Sequence, residues 1–423
     1  MARSWTRLHA HLGVPPGAIT FDMVEKAVAD HLDETDDLDW KEALPQPPRN
    51  GRWNEFAKDV AAMANTRGGL LIYGVSDDKR LAGIDLQQVN EQQLGQWVRN
   101  HVQPYVSGLS LLPLTSDDGS KSVLVVDVPA SEMAPHLVYG TADRDKKQQA
   151  AVAPYRDGSH TDWMPEHLIA RAYQDRFARQ TAAEAELQEH LRYATDVGLS
   201  LAPHSAWIVI ASRPQRPLPR MVPPLDRNAA QRVVEAALRA SVELKGNDAF
   251  GMMPHVLRSV TPTPRRGLRR WVISNALTAT DSVSGRPVVI ELHHDGTTVL
   301  AADLSWKALE RLEGTNVACP VLIDAVTAAA FDAVALATEL RRALLDDSAA
   351  DVTALVAAPP DYRDPFVPVL TEHGTFVSIP DYARRPPRLL PGTSEIPAAA
   401  DTDVLRGVAE ELRAGIVNQF GLE

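Results

Sequence analysis

The chain has 423 residues, 44% of them hydrophobic, and a formal net charge of −12. This length predicts two or three domains, and the negative charge argues against nucleic acid covering the whole surface, although a local basic groove remains compatible with it. A single cysteine, Cys319, excludes an intramolecular disulfide and a cysteine-rich zinc site. We therefore expect a reducing cytoplasm and no structural zinc. The start of the chain lacks an apolar signal core, and no stretch is long enough to span a bilayer.

A predicted helix over residues 21–32 leads into an acidic run that ends in Asp39-Trp40-Lys41. Successive side chains of an extended segment alternate between faces, so Asp39 and Lys41 should share one surface while Trp40 lies on the other. An anion and a cation are therefore predicted side by side above an apolar ring.

The next segment combines a helix, a glycine pair and a buried strand. Residues 54–65 predict a helix, because Asn54 is a favourable N-cap and the apolar residues fall on one stripe. Gly68 or Gly69 should end this helix in the left-handed conformation, with phosphate binding by their backbone as the alternative. Residues 70–75 form an apolar run typical of a central strand, and Asp77 lies in the polar turn that follows. Residues 81–84 predict a returning strand.

Further along the chain, a helix is predicted near residues 86–102, a hairpin from 109–114 and 122–128, and a strand at 151–155. A long helix should begin near Pro165 and continue through residues 180–193. The second half predicts an α+β domain whose strands include 205–212, 271–277 and a hairpin from 288–292 and 298–304. Its helices are predicted at 228–241, 325–345 and 403–420.

These patterns predict five segments: a helical extension at 1–33, an α/β domain at 34–180, a connecting helix at 181–200, an α+β domain at 201–382, and a proline-rich connector with a terminal helix at 383–423.

Several ordered motifs between residues 30 and 178 resemble the Schlafen AlbA-like domain family, in particular its bacterial members. The family pattern E-x4-E-F-K corresponds to Glu34-(x4)-Asp39-Trp40-Lys41. The family's A-N-T-x-G-G and G-V-x-D correspond to residues 64–69 and 74–77, and its closing R-x-G-S to residues 156–159. The order of these motifs makes the resemblance more specific than any one of them.

The resemblance implies an α/β domain related to metal-dependent endoribonucleases that act on transfer and ribosomal RNA, in a stress or defence setting. Carried over by position, Glu34, Asp39 and Asp77 would be the catalytic carboxylates that bind Mg²⁺ or Mn²⁺, with Lys41 on the scissile phosphate. Two residues depart from the family pattern. Asp39 stands where the family has Glu, which shortens a metal ligand by one methylene, and Trp40 replaces Phe.

The chemistry of three converging carboxylates supports an ion at such a site. At about 4 Å each pair would repel by about 4 kcal/mol at an effective dielectric near 20, so convergence requires a cation or a raised pKa. Oxygen ligands suit Mg²⁺ or Mn²⁺, which can polarise a phosphoryl oxygen. The alternative is a solvated acidic loop with Asp77 as an ordinary turn residue.

Basic residues near these motifs are candidates for contacts with a nucleic-acid backbone, the alternative being ordinary surface charge. They are Lys41, Arg52, Lys58, Arg67, Lys79 and Arg156.

Three functions follow as hypotheses: an endoribonuclease for structured RNA such as transfer RNA, a non-catalytic regulator that binds DNA or RNA, and an ATP-binding signalling module. RNA is the favoured partner, and no membrane partner is expected. The third hypothesis has no motif of its own, because the chain contains no phosphate-loop signature. The glycine motif occurs once, where the mammalian Schlafen core has two related lobes. Either the second half of the chain replaces the missing lobe or two chains pair, and we favour a homodimer.

Overall fold

The computed structural model describes residues 3, 5–47, 54–141, 149–218, 222–246, 255–276, 285–306, 308, 312, 319–346, 348–359, 362–372 and 376–422. The chain divides into two compact units, Met1–Ala183 and Glu184–Glu423. Both contain helices and strands, which confirms the predicted α+β class with an N-terminal α/β domain.

The elements of the first unit are α1 (Arg7–Leu12), α2 (Phe21–Ala29), β1 (Leu38–Lys41), α3 (Glu55–Asn65), β2 (Gly68–Tyr73), α4 (Glu91–His101), β3 (Val102–Gln103), β4 (Ser110–Thr115), β5 (Ser122–Pro129), β6 (Leu137–Thr141), β7 (Gln149–Val152), β8 (Pro154–Asp157), β9 (His160–Trp163) and the start of α5 (Glu166–Leu201). The central sheet has the order β1-β2-β5-β4, with β1 parallel to β2 and the other neighbours antiparallel. Strands β3, β6 and β7 form a second sheet, and β8 pairs with β9 as a hairpin.

The central sheet is covered on both faces because its strands are apolar on both sides. Helices α3 and α4 pack on the face that carries Leu71 and Val126. Helices α1 and α2 pack on the opposite face against Trp40 and Ile72. The indole N–H of Trp40 donates to the carbonyl of Leu32 at 2.9 Å, which satisfies the one polar atom of this buried ring. The first unit is therefore a three-layer α/β/α structure.

Helix α3 begins at the predicted N-cap, but it ends at Asn65 with Thr66 as its C-cap at a φ of −102°, so neither glycine ends the helix. The side chain of Asn54 accepts the backbone N–H of Ala57 at 2.9 Å, which is a standard N-cap bond. After the helix, Gly68 has a φ of 72°, and a Cβ built there would lie 2.4 Å from the backbone nitrogen of Ala130. Gly69 is equally confined, with the Met63 sulfur 2.3 Å from its hypothetical Cβ. The pair thus serves conformation and close packing.

Three predicted elements differ in detail from the structure. The strand expected at 151–155 is divided between β7 and β8, which belong to different sheets. The helix expected near 86–102 is divided into a 3₁₀ turn, Leu86–Gln88, and α4, because Asp85 and Asn90 each cap a separate start. The strand expected at 81–84 makes a single bridge, between Leu81 and Val75.

The second unit contains the remainder of α5, β10 (Trp207–Pro214), α6 (Arg227–Lys245), β11 (Arg265–Gly267), β12 (Arg270–Ser274), β13 (Val288–His293), β14 (Thr298–Asp303), β15 (Pro320–Leu322), α7 (Ile323–Ala343), β16 (Ala350–Ala357), β17 (Val367–Glu372), β18 (Phe376–Ser378), β19 (Gly392–Ile396) and α8 (Thr402–Val417). Its main sheet is antiparallel with the order β11-β12-β13-β14-β10-β16-β19. Helices α6, α7 and α8 cover one face, and Leu187, Leu191 and Ala194 of α5 pack on the other. Among the described helices, none is both long and apolar enough to cross a membrane.

Two alanine substitutions should have effects of opposite sign on stability. Gly68→Ala should lower the free energy of unfolding by about 1–3 kcal/mol, because the residue has positive φ and backbone atoms occupy the Cβ position. Gly95→Ala in α4 should raise it by about 0.5–1 kcal/mol, because nothing lies within 4 Å of the new Cβ and alanine favours the helix. Urea unfolding monitored by tryptophan fluorescence measures both, and equal effects would contradict this assignment.

Candidate functional site

A cleft of about 430 Å³ lies where β1, α3 and the β8–β9 hairpin come together in the first unit. Its polar lining includes Lys41 from β1, Lys58 and Asp59 from α3, and Arg156 and His160 from the hairpin. The parallel pairing of β1 with β2 places Lys41 opposite Tyr73, which also lines the cleft. The site is thus built from three parts of the fold, the last of which follows about 90 residues after α3 in the chain.

An alternating series of charges, which we call the ion-pair chain, runs through this cleft. Arg156 lies 3.4 Å from the carboxylate of Asp39, and Lys41 lies 2.9 Å from the same oxygen. Lys41 is also 3.9 Å from Asp59, whose other oxygen is 3.5 Å from Lys58. Glu55 binds Lys58 at the exposed end of the series. Each cation of the cleft is therefore held by at least one carboxylate.

Asp59 is the most constrained member of the ion-pair chain. It is buried on α3, and burial raises its pKa above the ordinary value of 3.8, while the charges of Lys58 and Lys41 offset this only in part. Burial acts to lower the pKa of Lys41, but the charges of Asp59 and Asp39 outweigh it, so the lysine pKa is raised. The same balance raises the pKa of Lys58. Both lysines are therefore charged at neutral pH.

Arg156 connects the hairpin to the rest of the cleft. Its guanidinium donates to the carbonyls of Ser159 at 2.9 Å and Thr35 at 3.4 Å. Its backbone N–H donates to the hydroxyl of Thr66 at 2.9 Å, just after α3. The neighbouring Asn65 donates to the carbonyl of Pro154 at 2.8 Å. The Asn-Thr pair of the sequence motif thus holds the hairpin against α3.

The three predicted metal ligands occupy different surroundings. The carboxylate of Asp39 forms ion pairs with Lys41 and Arg156. Glu34 accepts the backbone N–H of Trp40 at 3.1 Å, and Asp77 is exposed in the turn after β2. Over the described part of the chain, no three His, Cys, Asp or Glu side chains have an arrangement that could hold a metal ion. This arrangement does not fit Mg²⁺ or Mn²⁺, and the metal-binding and catalytic roles stay predictions.

The predicted nucleic-acid contacts fall into three groups. Lys41, Lys58 and Arg156 line the cleft. Arg67 is paired with Asp36 at 2.9 Å, outside the cleft lining, and the Lys79 nitrogen lies 6.0 Å from the centre of the Trp40 ring. Arg52 lies outside the described residues.

Asp59 is the functional candidate that the sequence predictions missed, although a signal for it was present. It follows Phe56 by three positions and precedes Met63 by four, which places a carboxylate on the apolar stripe of the helix. A charged side chain on such a stripe must be buried or must open the interface. In the structure it is buried between two lysines.

The raised pKa of Asp59 predicts a specific dependence of stability on pH. Folded Asp59 holds its proton more tightly than the unfolded chain does. This tighter proton binding stabilises the folded chain. The stabilisation is fully present below the unfolded pKa of about 3.9 and is lost as the pH rises through the folded pKa of Asp59. Asp59→Asn cannot ionise, so its urea midpoint relative to the wild type should increase between about pH 4 and 7. Asp22→Asn, which removes an exposed carboxylate, is the control, and a relative midpoint for Asp59→Asn that falls over this range would contradict the prediction.

Comparisons with known proteins give one family match and several similar solved structures. A family model described as Schlafen, AlbA_2 matches residues 34–165. A solved structure from Corynebacterium diphtheriae is 22% identical over 33% of this chain and 30% of its own, with a TM-score of 0.22. The N-terminal domain of a RecG-related protein from Nitrosomonas europaea is 19% identical over 36% of this chain and 97% of its own, with a TM-score of 0.23. No curated protein matches the chain. Residues 34–165 therefore belong to the Schlafen AlbA_2 family.

Proposed function

We propose that the first unit binds nucleic acid by holding backbone phosphates in the cleft between β1, α3 and the β8–β9 hairpin. The Schlafen AlbA_2 family points to a nucleic-acid-related function. The observation that carries the proposal is the convergence of Lys41, Lys58 and Arg156 on one cleft. Phosphate oxygens accept hydrogen bonds from such side chains without any other cofactor.

The cleft is close to neutral on a strongly acidic chain. Three cations and two carboxylates, Glu55 and Asp59, line it, and the buried Asp39 pairs with two of these cations, so the ion-pair chain is formally neutral while the whole chain carries −12. Protonation of Asp59, which the raised pKa favours, would make the cleft more positive. A phosphate entering the cleft would take the place of a carboxylate as partner of a lysine. The lysines are held in position by the ion-pair chain, which reduces the entropy lost on binding.

Binding without cleavage is the form of this function that the geometry supports best. The endoribonuclease hypothesis requires an ion held by Glu34, Asp39 and Asp77, and the arrangement of these residues does not fit one. We therefore propose that the cleft binds DNA or RNA. We also propose that the protein prefers RNA over DNA and that it forms a homodimer. Both points are tested by the measurements below.

The two cleft lysines should contribute to affinity and to its dependence on salt. Lys41→Gln and Lys58→Gln should each weaken binding of a labelled transfer RNA several-fold in fluorescence anisotropy. Each should also reduce the slope of log affinity against log salt by about 0.7–0.9, because one phosphate contact is lost. Single-stranded RNA and DNA of equal length, measured in the same way, determine the preference, and light scattering at micromolar concentration determines the oligomeric state.

The matched control is Lys26→Gln, which removes an exposed lysine that is also paired with a carboxylate, Asp22, but lies on α2 outside the cleft lining. It should leave both affinity and salt slope unchanged. Equal effects of all three variants would contradict a localised site. If the wild type produces RNA fragments with Mn²⁺ and Glu34→Ala and Asp77→Ala do not, the function is cleavage rather than binding alone.

A further inference from the structure

A strongly basic hairpin lies at one edge of the main sheet in the second unit. It consists of β11 and β12, which pair with Gly267 opposite Arg270 and leave Leu268 and Arg269 as a two-residue turn. Arg269 has a φ of 54°, as a tight hairpin turn requires. Four of the six residues from 265 to 270 are arginines. We call these six residues the arginine hairpin.

Among the residues that the structure describes, three of the four arginines have no carboxylate partner. Arg270 is occupied, because it lies 3.2 Å from Glu291 and stacks over the ring of Tyr193 at 4.7 Å. Arg265, Arg266 and Arg269 are exposed, and in the described part of the chain none of them forms an ion pair. Some other exposed arginines of this acidic protein are paired, for example Arg192 with Glu189 and Arg342 with Glu339.

The arginine hairpin is held rigidly by its neighbours. Five residues of β12, Arg270 to Ser274, pair with β13. The indole N–H of Trp271 donates to the carbonyl of Leu225 at 3.0 Å, and the backbone N–H of His294 donates to the carbonyl of Arg269 at 3.0 Å. The arginines without a carboxylate partner therefore extend from a backbone that is held by the pairing of β12 with β13 and by these two hydrogen bonds.

The positive charge of the hairpin also affects the pKa of the neighbouring His294. Burial lowers the pKa of His294, and the charges of Arg269 and Arg266 lower it further. At the tip, Leu268 is 87% exposed. An apolar side chain flanked by unpaired guanidinium groups is a combination found in nucleic-acid contacts that also touch bases.

We propose that the arginine hairpin is a second nucleic-acid-binding site of this chain. Arg265, Arg266 and Arg269 bind backbone phosphates, and Leu268 contacts the exposed surface of a base or sugar. The planar guanidinium group matches phosphate oxygens in pairs, which favours this ligand over a diffuse anionic surface. The two strands of a hairpin are about 4.8 Å apart, so a ribbon of this kind can enter a groove about 12 Å wide. A single leucine offers too little apolar area to anchor a membrane.

The test is a triple variant of the full chain, Arg265→Gln with Arg266→Gln and Arg269→Gln. Its affinity for duplex DNA, duplex RNA and a single strand of equal length is measured by fluorescence anisotropy over a range of salt. We expect at least tenfold weaker binding of one or more of these ligands, and a salt slope reduced by about 2–3, because three phosphate contacts are lost. Leu268→Ser should weaken binding several-fold with an unchanged salt slope, since it removes no charge.

The matched control is Arg384→Gln with Arg385→Gln and Arg388→Gln, which removes the same charge from exposed arginines of the same unit. It should retain wild-type affinity. Equal losses in the two triple variants would overturn the proposal by showing a general effect of charge. If the hairpin variant keeps wild-type affinity while Lys41→Gln loses affinity, the hairpin site is contradicted and the cleft site is retained. Absence of nucleic-acid binding by the wild type would overturn both, and binding of anionic phospholipid vesicles that alone depends on the hairpin would reassign it to a membrane surface.

Discussion

The pairing of Arg156 with Asp39 is the interaction on which the cleft depends. Both side chains are almost completely buried, at 3% exposure each, and a buried charge without a partner is strongly destabilising. Because Arg156 lies on β8 and Asp39 on β1, this requirement keeps the β8–β9 hairpin against the central sheet. Lys41 then shares the same carboxylate, and Asp59 continues the series into α3. The buried pair is thus linked to Lys41 through Asp39, and Asp59 connects Lys41 with Lys58.

The ion-pair chain also determines what the carboxylates are able to do. Those of Asp39 and Asp59 neutralise nearby lysine and arginine side chains, so in this arrangement they are partners of protein cations. Lys41 and Lys58 remain at the cleft surface, each with a carboxylate that a phosphate could replace. In the second unit, backbone pairing keeps the arginine hairpin in place. Three of its guanidinium groups have no carboxylate partner among the described residues.

Local sequence patterns predicted much of this structure, because local physics determines those features. Asn54 caps α3, Gly68 has the positive φ expected after the helix, and the alternation of β1 places Lys41 beside Asp39. The hairpin predicted from 288–292 and 298–304 is present as β13 and β14.

The details of the site depend on contacts that no local pattern contains. Arg156 is 117 residues from Asp39 in the chain, and its approach changes Asp39 from a free carboxylate into half of a buried pair. Asp59 was visible as a charge on an apolar stripe, but its lysine partners come partly from another element. The arginines of residues 265–270 are obvious in the sequence, whereas only the fold shows that three of them lack carboxylate partners in the described part of the chain.

The central claim is that cations positioned by the ion-pair chain hold nucleic-acid phosphates in the cleft. Photo-crosslinking of the full chain to 4-thiouridine-labelled RNA, followed by mass spectrometry of the attached peptides, tests it most directly. If the cleft holds the RNA, crosslinks are expected on the peptides that contain Lys41, Lys58 and His160, which line the cleft. Efficient crosslinking confined to other parts of the first unit, with none of these peptides modified, would contradict it.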